Sequence, residues 1–317
     1  MKPRIVVSKC LGFDQCRYNG QTIPDKFIEK LTEFAEIITV CPEVEIGLGI
    51  PRHPVRLGKK GEKTYLIQPA TDLDVTHKME TFTSTFLSSL EDIDGFIMKN
   101  RSPSCGINDV KIYHSLNKLS ASTRGTGIFG GSIQDFFPFA AMEDEGRLKN
   151  LSIREYFLTR LYVNLRFRSV KKSGNMKSLV KFQTEHKYLF MAHNQEAYRT
   201  GGQIVANHEK DTFEKVIKKY EENMSRIMKK PAKIQATINA IHHIFGGFSK
   251  NLSKDEKVFF LNTVEEYRDE RITLTTIIHL LKSYAVRFES QFVKDQIFLN
   301  PFPADLVSSA NSGKKSM

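Results

Sequence analysis

Two kinds of apolar periodicity divide the chain. In the first half, short β-branched runs alternate with amphipathic stretches. Residues 4–8, 37–40 and 95–98 read as buried strands, with a further short strand at 64–67. Between them, residues 24–36 carry Phe27, Ile28, Leu31, Phe34 and Ala35 on one helical face. A helix capped by Asp74 or Thr76 runs to about residue 92 and turns Met79, Phe82, Phe86, Leu87 and Leu90 inward. The pattern also predicts a short helix near 110–119, a last strand at 127–130 and a helix over 151–168. Strands separated by helices predict an α/β, Rossmann-like domain over residues 1–168 with a largely parallel sheet.

Residues 169–178, with Lys171-Lys172-Ser173-Gly174, read as a polar, basic linker, and beyond it the strand patterns stop. Helical patterns follow at 176–194, 196–209, 211–228, 232–245, 253–270 and 273–288, punctuated by Pro231, Gly246-Gly247 and Pro301. An all-α domain over 175–303 is expected, then a flexible tail over 304–317, rich in Ser, Ala and Lys.

Composition is that of an ordinary water-soluble protein, 40% hydrophobic and 26% charged over 317 residues. No run approaches the ~18 consecutive apolar residues of a membrane helix. Met-Lys-Pro-Arg leads straight into a strand with no signal-peptide core, so the expected location is the cytoplasm. The net charge of +11 is uneven: residues 1–170 hold 23 Lys and Arg against 20 Asp and Glu, residues 171–317 hold 24 against 16. A basic helical domain beside a near-neutral one points to a polyanionic partner; the alternative is a solvated basic surface.

All four cysteines fall in the first 105 residues, too few for a disulfide scaffold. Cys10, Cys41 and Cys105 each follow a predicted strand, and ligand crevices of parallel sheets lie beyond the strands' C-terminal ends. Topology therefore brings the three thiols to one crevice. Three thiolates can hold a zinc with an open position, or a cubane cluster with one iron lacking a protein ligand. The absence of a C-x-x-C pair leans away from a structural zinc. Cys16 is a candidate fourth ligand, although its neighbours Arg17 and Tyr18 read as substrate contacts. Lys99 and Arg101, near Cys105, favour thiolate and an anionic cluster or substrate. Glu43 follows Cys41 at a spacing fixed by Pro42 and is the acid–base candidate, with Glu45 competing. Ser102 and Ser104 can donate hydrogen bonds to a substrate oxygen, or are ordinary turn serines.

The set Ser8-Lys-Cys10-Leu-Gly12, Cys16-Arg-Tyr-Asn-Gly20, Cys41-Pro-Glu43 with Gly47, Pro51-Arg52 and Pro54, and Lys99-x-Arg-Ser-Pro-Ser-Cys105-Gly106 resembles the thiouracil desulfidase family. In the second half, Leu179-Val-x-Phe182, His186-Lys187, Met191-Ala192-His193, Tyr198-Arg199 and Asn300-Pro301-x-Pro303 resemble an all-helical YbgA-like domain often fused to it. The two-domain arrangement is similar to the tRNA 4-thiouridine desulfidases. That resemblance implies a [4Fe–4S] cluster on Cys10, Cys41 and Cys105 whose open iron takes the thiocarbonyl sulfur. Glu43 and one serine of the Ser102/Ser104 pair would handle water and proton transfer, converting C=S to C=O with release of hydrosulfide. Arg17, Tyr18, Arg52, Lys99 and Arg101 are then the substrate-side residues. Lys171, Lys172, Lys177, Lys181, Lys187 and Arg199 become the expected phosphate contacts to tRNA, with Tyr188 or Tyr198 stacking on bases. His186 and His193 are expected to be core or phosphate contacts rather than metal ligands. Two alternatives remain, a desulfidase of free thiouracil or thionucleosides and a non-catalytic, metal-containing RNA-binding protein.

Overall fold

The structure is a computed structural model that describes residues 1–114 and 121–307. It divides into two compact units, Met1–Leu165 with Phe302–Met317, and Arg166–Pro301. Among the described residues the first unit holds the strands β1 (Arg4–Ser8), β2 (Glu36–Val40), β3 (Arg56–Lys60), β4 (Lys63–Gln68), β5 (Leu73–Asp74), β6 (Gly95–Met98), β7 (Val110–Tyr113), β8 (Ser122–Gly125) and β9 (Ala141–Asp144). Its helices are α1 (Lys26–Leu31), α2 (Pro42–Glu45), α3 (Thr76–Ser89), α4 (Ile128–Phe136) and most of α5 (Leu151–Ser173).

The central sheet has the order β2-β1-β6-β9 and is parallel throughout. Its central strands β1 and β6 are buried on both faces, which is why they are continuous apolar runs rather than alternating ones. Ile5, Val7 and Ile97 pack on one face with Phe27 and Leu31 of α1 and Phe157, Leu158 and Leu161 of α5. Val6, Phe96 and Met98 pack on the other with Met79 and Leu87 of α3 and Phe129 and Ile133 of α4. The parallel sheet and its flanking helices match the sequence expectation.

In a second sheet, β5-β4-β3-β7-β8, only β4 answers to an expected strand, the one at 64–67. The sheet is mixed, with β3 antiparallel to β4 and parallel to β7. It takes residues 110–113, expected to be helical, as strand β7; residues 115–119 of that expected helix lie outside the described residues. The expected strand at 127–130 is the first turn of α4, and the last strand of the parallel sheet is β9. The helix expected over 24–36 is shorter, capped by the Asp25 carboxylate, which accepts from the amides of Phe27 and Ile28.

In the second unit, the expected linker is mostly helix. α5 continues to Ser173, Gly174 turns the chain at φ +62°, and α6 (Met176–Glu185) starts at once under an Asn175 cap. There follow α7 (Lys187–Ala206), α8 (Phe213–Ile227), α9 (Ile234–Gly246), α10 (Lys254–Arg268), α11 (Leu274–Arg287) and α12 (Gln291–Lys294). α7 is kinked at Asn194, whose side chain accepts from the Ala197 amide and so caps a second helical segment. The expected break between 194 and 196 is therefore present as a kink. Ala304–Val307, placed by sequence in the flexible tail, is a 3-10 turn with Leu306 buried among Phe27, Leu31 and their neighbours. Residues 308–317 of that tail lie outside the described residues.

Candidate active site

β1, β2 and β6 are adjacent and parallel, so the loops after them emerge at one edge of the sheet. Cys10, Cys41 and Cys105 stand on those three loops, each at most 9% exposed, and Cys16 from the Cys10 loop is fully buried. All four thiols are free. They lie close enough to act on one another electrically: charge on Cys41 raises the Cys10, Cys16 and Cys105 thiols, and the Cys16 and Cys41 side chains are hydrogen-bonded. Burial, the largest influence, pushes Cys10 up to about 11, Cys16 up to about 12 and Cys105 well above the usual thiol range. Lys99 and Arg17 pull Cys10 the other way, which places both cations beside it. A Ser8 hydrogen bond likewise lowers Cys105.

The loop geometry is held by hydrogen bonds that the sequence does not announce. Ser8 Oγ accepts from the Lys99 amide at 2.9 Å, joining the ends of β1 and β6. The Cys105 loop is seated on the N-terminus of α4: the amides of Gly127, Ile128 and Gly130 donate to the carbonyls of Gly106, Pro103 and Ser104. A Cβ at Gly127 would stand 2.4 Å from the Ser104 oxygen, and one at Gly130 would stand 2.3 Å from the Cys105 oxygen. Only glycine lets the loop and helix approach so closely. This explains why 127–130 is a helix start rather than a strand.

Beside the thiols lies a polar chain of three residues. Ser104 Oγ donates to Glu43 Oε1 at 2.8 Å. Glu43 Oε2 is held by Arg52 through Nε at 2.9 Å and Nη2 at 2.8 Å. Arg52 Nη1 donates to the carbonyls of Cys16 and Gly49, which ties the Glu43 anchor to the Cys16 loop. The Cys41 thiol also reaches the Cys16 carbonyl, at 3.7 Å. Glu43 and Ser104 are thus joined by a hydrogen bond, and Glu45 does not enter this chain of bonds. Ser102 is engaged elsewhere. Its hydroxyl accepts from the amides of Ser104 and Cys105 and shapes the turn that carries the thiol.

The other candidates separate. Lys99 is in the site, its Nζ 2.5 Å from Glu145 Oε1, while Glu145 Oε2 accepts from the Asn100 amide. Glu145 is nearly buried and escapes sequence reasoning, because its partners lie 45 and 46 residues away. Arg17 stacks over the exposed ring of Tyr18, whose carbonyl accepts from the Arg52 amide. Arg101 is mostly exposed and pairs with Asp109, a surface carboxylate shared with Arg124. Among the described residues no three His, Cys, Asp or Glu side chains form a group able to hold a single metal ion; the thiolate ligands of a cubane cluster stand farther apart than those of one ion, so this spacing bears on a lone zinc and not on a cluster.

In the second unit, Lys171 pairs with Glu221 and lies over Phe167, Lys181 is 3.7 Å from Glu185, and Lys187 lies over Tyr188 and Phe292. Lys172, Lys177 and Arg199 are exposed. His186 is fully buried between Phe182 and Phe190, its Nδ1 2.8 Å from the Phe182 carbonyl, as befits a core histidine. His193 Nδ1 reaches the Lys230 carbonyl at 3.0 Å.

The first unit is thus an α/β domain whose parallel strand ends gather thiols, a carboxylate and a serine. Residues 5–145 match the 2-thiouracil desulfurase family, and residues 187–303 match a protein family of unknown function, DUF1722. The uncharacterized YbbK of Bacillus subtilis (strain 168) is 36% identical over 109 residues, which are 32% of this chain and 72% of YbbK. The uncharacterized YbgA of Escherichia coli (strain K12) is 21% identical over 158 residues, 49% of this chain and 93% of YbgA. The solved structure of TudS, a [4Fe-4S]-dependent thiouracil desulfidase, shares 28% identity at a TM-score of 0.38, covering 46% of this chain and 93% of TudS. The chain belongs to the 2-thiouracil desulfurase family and carries a DUF1722 region after it. No described helix is long and apolar enough to cross a membrane.

Proposed function

We propose that this chain is an iron–sulfur-dependent, non-redox desulfidase that converts 4-thiouridine in tRNA to uridine, releasing hydrosulfide. The observation that carries the reading is the meeting of Cys10, Cys41 and Cys105 beside the Glu43–Ser104 pair. Buried thiols that their surroundings keep protonated are stable as thiolates only with a cationic partner, and an all-sulfur donor set from three loops suits iron–sulfur ligation. Cys10, Cys41 and Cys105 are the residues that would hold a [4Fe–4S] cluster. When bound, it would supply an open iron acting as a Lewis acid toward the thiocarbonyl sulfur.

The chain's own residues supply the rest. Glu43 is fixed as an ion pair at Oε2, which leaves Oε1 facing the Ser104 hydroxyl. Ser104, fully buried, can take a proton from an attacking water and pass its own to Glu43. Overall, one water enters, oxygen replaces sulfur on the ring carbon, sulfur departs as hydrosulfide carrying one of the water's protons, and the other proton leaves to solvent by way of Glu43. Tyr18, exposed and backed by Arg17, offers a flat apolar face for a pyrimidine. Lys99 places a cation near Cys10 for an anionic cluster or substrate. The basic second half supports tRNA, rather than a free base, as the thiolated substrate.

Anaerobic purification with iron and sulfide assays, followed by incubation with 4-thiouridine-containing tRNA, tests the reading. About four irons and sulfides per chain, with loss of the 4-thiouridine absorbance, is the expected result. Cluster-loaded protein that turns over free thiouracil but not thiolated tRNA would overturn the substrate assignment, and iron-free anaerobic protein would overturn the mechanism.

A further inference from the structure

The second unit carries a basic stretch besides the cations that the sequence singled out. From Asn223 to Lys254 the chain carries Arg226, Lys229, Lys230, Lys233, Lys250 and Lys254 and no aspartate or glutamate. Several cations elsewhere in this unit do have carboxylate partners: Lys171 pairs with Glu221, Lys215 and Lys219 with Asp211, Arg268 with Glu265, Arg271 with Glu266 and Arg287 with Glu256. Among the described residues none of the six cations between Asn223 and Lys254 has an ion pair. Arg226, Lys229, Lys230 and Lys233 are exposed and fall within eight residues, on the last turn of α8 and the turn into α9.

Three features make this turn a fixed surface rather than a loose basic loop. Ile227 and Met228 are buried beneath it. The carbonyl of Lys230 meets His193 Nδ1 at 3.0 Å, tying the turn to α7 just before its kink. α9 begins at Ile234 with no side chain capping its first amides, so its positive end opens on the same lysines. Lys250 and Lys254 follow the far end of α9, a helix about 20 Å long at 1.5 Å per residue. Charges at both ends of such a helix suit a polyanion chain with many phosphates better than one small anion.

We infer that the α8–α9 turn, with Arg226, Lys229, Lys230 and Lys233 as its centre, docks the phosphate backbone of a folded RNA. The inference rests on the tRNA reading above and names the surface that serves it. Backbone contacts of this kind position the substrate without reading its sequence.

The test is fluorescence-anisotropy binding of unmodified tRNA to the full chain at several salt concentrations, which needs no turnover. Lys229→Gln/Lys230→Gln/Lys233→Gln should weaken binding at least tenfold near 0.1 M salt. It should also flatten the log–log salt slope by about two to three, since each lost phosphate contact removes roughly 0.7–0.9 from it. The triple Lys→Arg variant should bind like the parent, and both variants should keep the parent's melting temperature and its turnover of free thiouridine. Undiminished binding by the Gln variant overturns this surface while leaving the RNA reading intact. So does loss of binding in Lys171→Gln/Lys172→Gln/Lys177→Gln/Lys181→Gln alone. A parent chain that does not bind tRNA overturns both.

Discussion

Arg52 grips Glu43 through two nitrogens, Nε at 2.9 Å and Nη2 at 2.8 Å, with only 4% of the arginine side chain and 13% of the glutamate exposed. Its remaining nitrogen donates to the carbonyls of Cys16 and Gly49, so every guanidinium nitrogen is engaged within the protein. Sequence resemblance places Arg52 among the substrate-side residues; the geometry makes it the group that aims Glu43 at Ser104.

Arg52→Lys should therefore retain the charge and lose the fork. A lysine is a point charge that cannot present two parallel donors and also reach two carbonyls. Turnover should fall by about tenfold or more through a misaimed carboxylate, with iron content close to the parent's. Arg52→Ala leaves the nearly buried Glu43 without its counter-ion and should cost about 3–5 kcal/mol of stability. Denaturant titration beside steady-state kinetics separates the two effects.

The serine pair should divide cleanly. Ser104→Ala removes the hydroxyl on Glu43 Oε1 and should lower turnover by about 10²–10⁴-fold, the usual range for a positioned proton-transfer group. Ser102→Ala leaves that hydroxyl in place and strips two loop amides, those of Ser104 and Cys105, of their acceptor. It should lower stability by about 1–3 kcal/mol and weaken cluster retention more than chemistry. Iron assays and melting temperatures on the two variants make the distinction; equal losses of turnover at equal iron content would contradict it.

The strand-end thiols were legible because β-branched runs such as Ile37-Ile38-Thr39-Val40 give way abruptly to Cys-Pro or Gly-rich loops, and parallel topology does the rest. Of the second sheet only β4 was legible, because β3 reads Arg-Leu-Gly-Lys-Lys and has no strand signature apart from its partners β4 and β7. Gly127-Ile-Phe-Gly130 is an apolar run too short for its period to distinguish helix from strand. What decides it is a tertiary contact, the Cys105 loop resting on glycine. Lys99–Glu145 and Arg52–Glu43 are contacts between residues 46 and 9 positions apart, and no local pattern predicts such pairs.

That glycine contact has a measurable consequence. Gly130→Ala places a methyl 2.3 Å from the Cys105 carbonyl oxygen and 2.5 Å from that of Gly106, both backbone atoms that cannot step aside alone. The loop must move, at a cost of about 1–3 kcal/mol, and carries Cys105 with it. Anaerobic reconstitution should give less iron per chain than the parent, although every thiol is present. Gly202→Ala on α7, where the nearest atom is a side-chain nitrogen at 3.8 Å, is the control that should leave iron content unchanged.

The cysteines should sort by the same assay. Serine substitution of Cys10, Cys41 or Cys105 should abolish stable iron incorporation, because each removes one of three loop ligands. Cys16→Ser should retain it, since Cys16 lies on the loop that Arg52 fastens and its thiol already bonds Cys41. Loss of iron in Cys16→Ser equal to that in Cys41→Ser would instead make Cys16 a fourth ligand.

His186 gives the second unit a dependence on pH that can be read without any substrate. Burial between Phe182 and Phe190, and the nearby charge of Arg166, lower it to about 3. An unfolded histidine takes a proton near pH 6.5. Between these values the unfolded chain binds one more proton than the folded one, so folding stability from this group is complete above pH 6.5 and falls as pH drops toward 3. The slope is about 1.4 kcal/mol per pH unit. His186→Phe keeps a ring against Phe182 and removes the titrating group. Denaturant titrations from pH 7 to pH 4 should show the parent losing stability more steeply than His186→Phe, and parallel curves would show that the buried imidazole is not the source of the acid sensitivity.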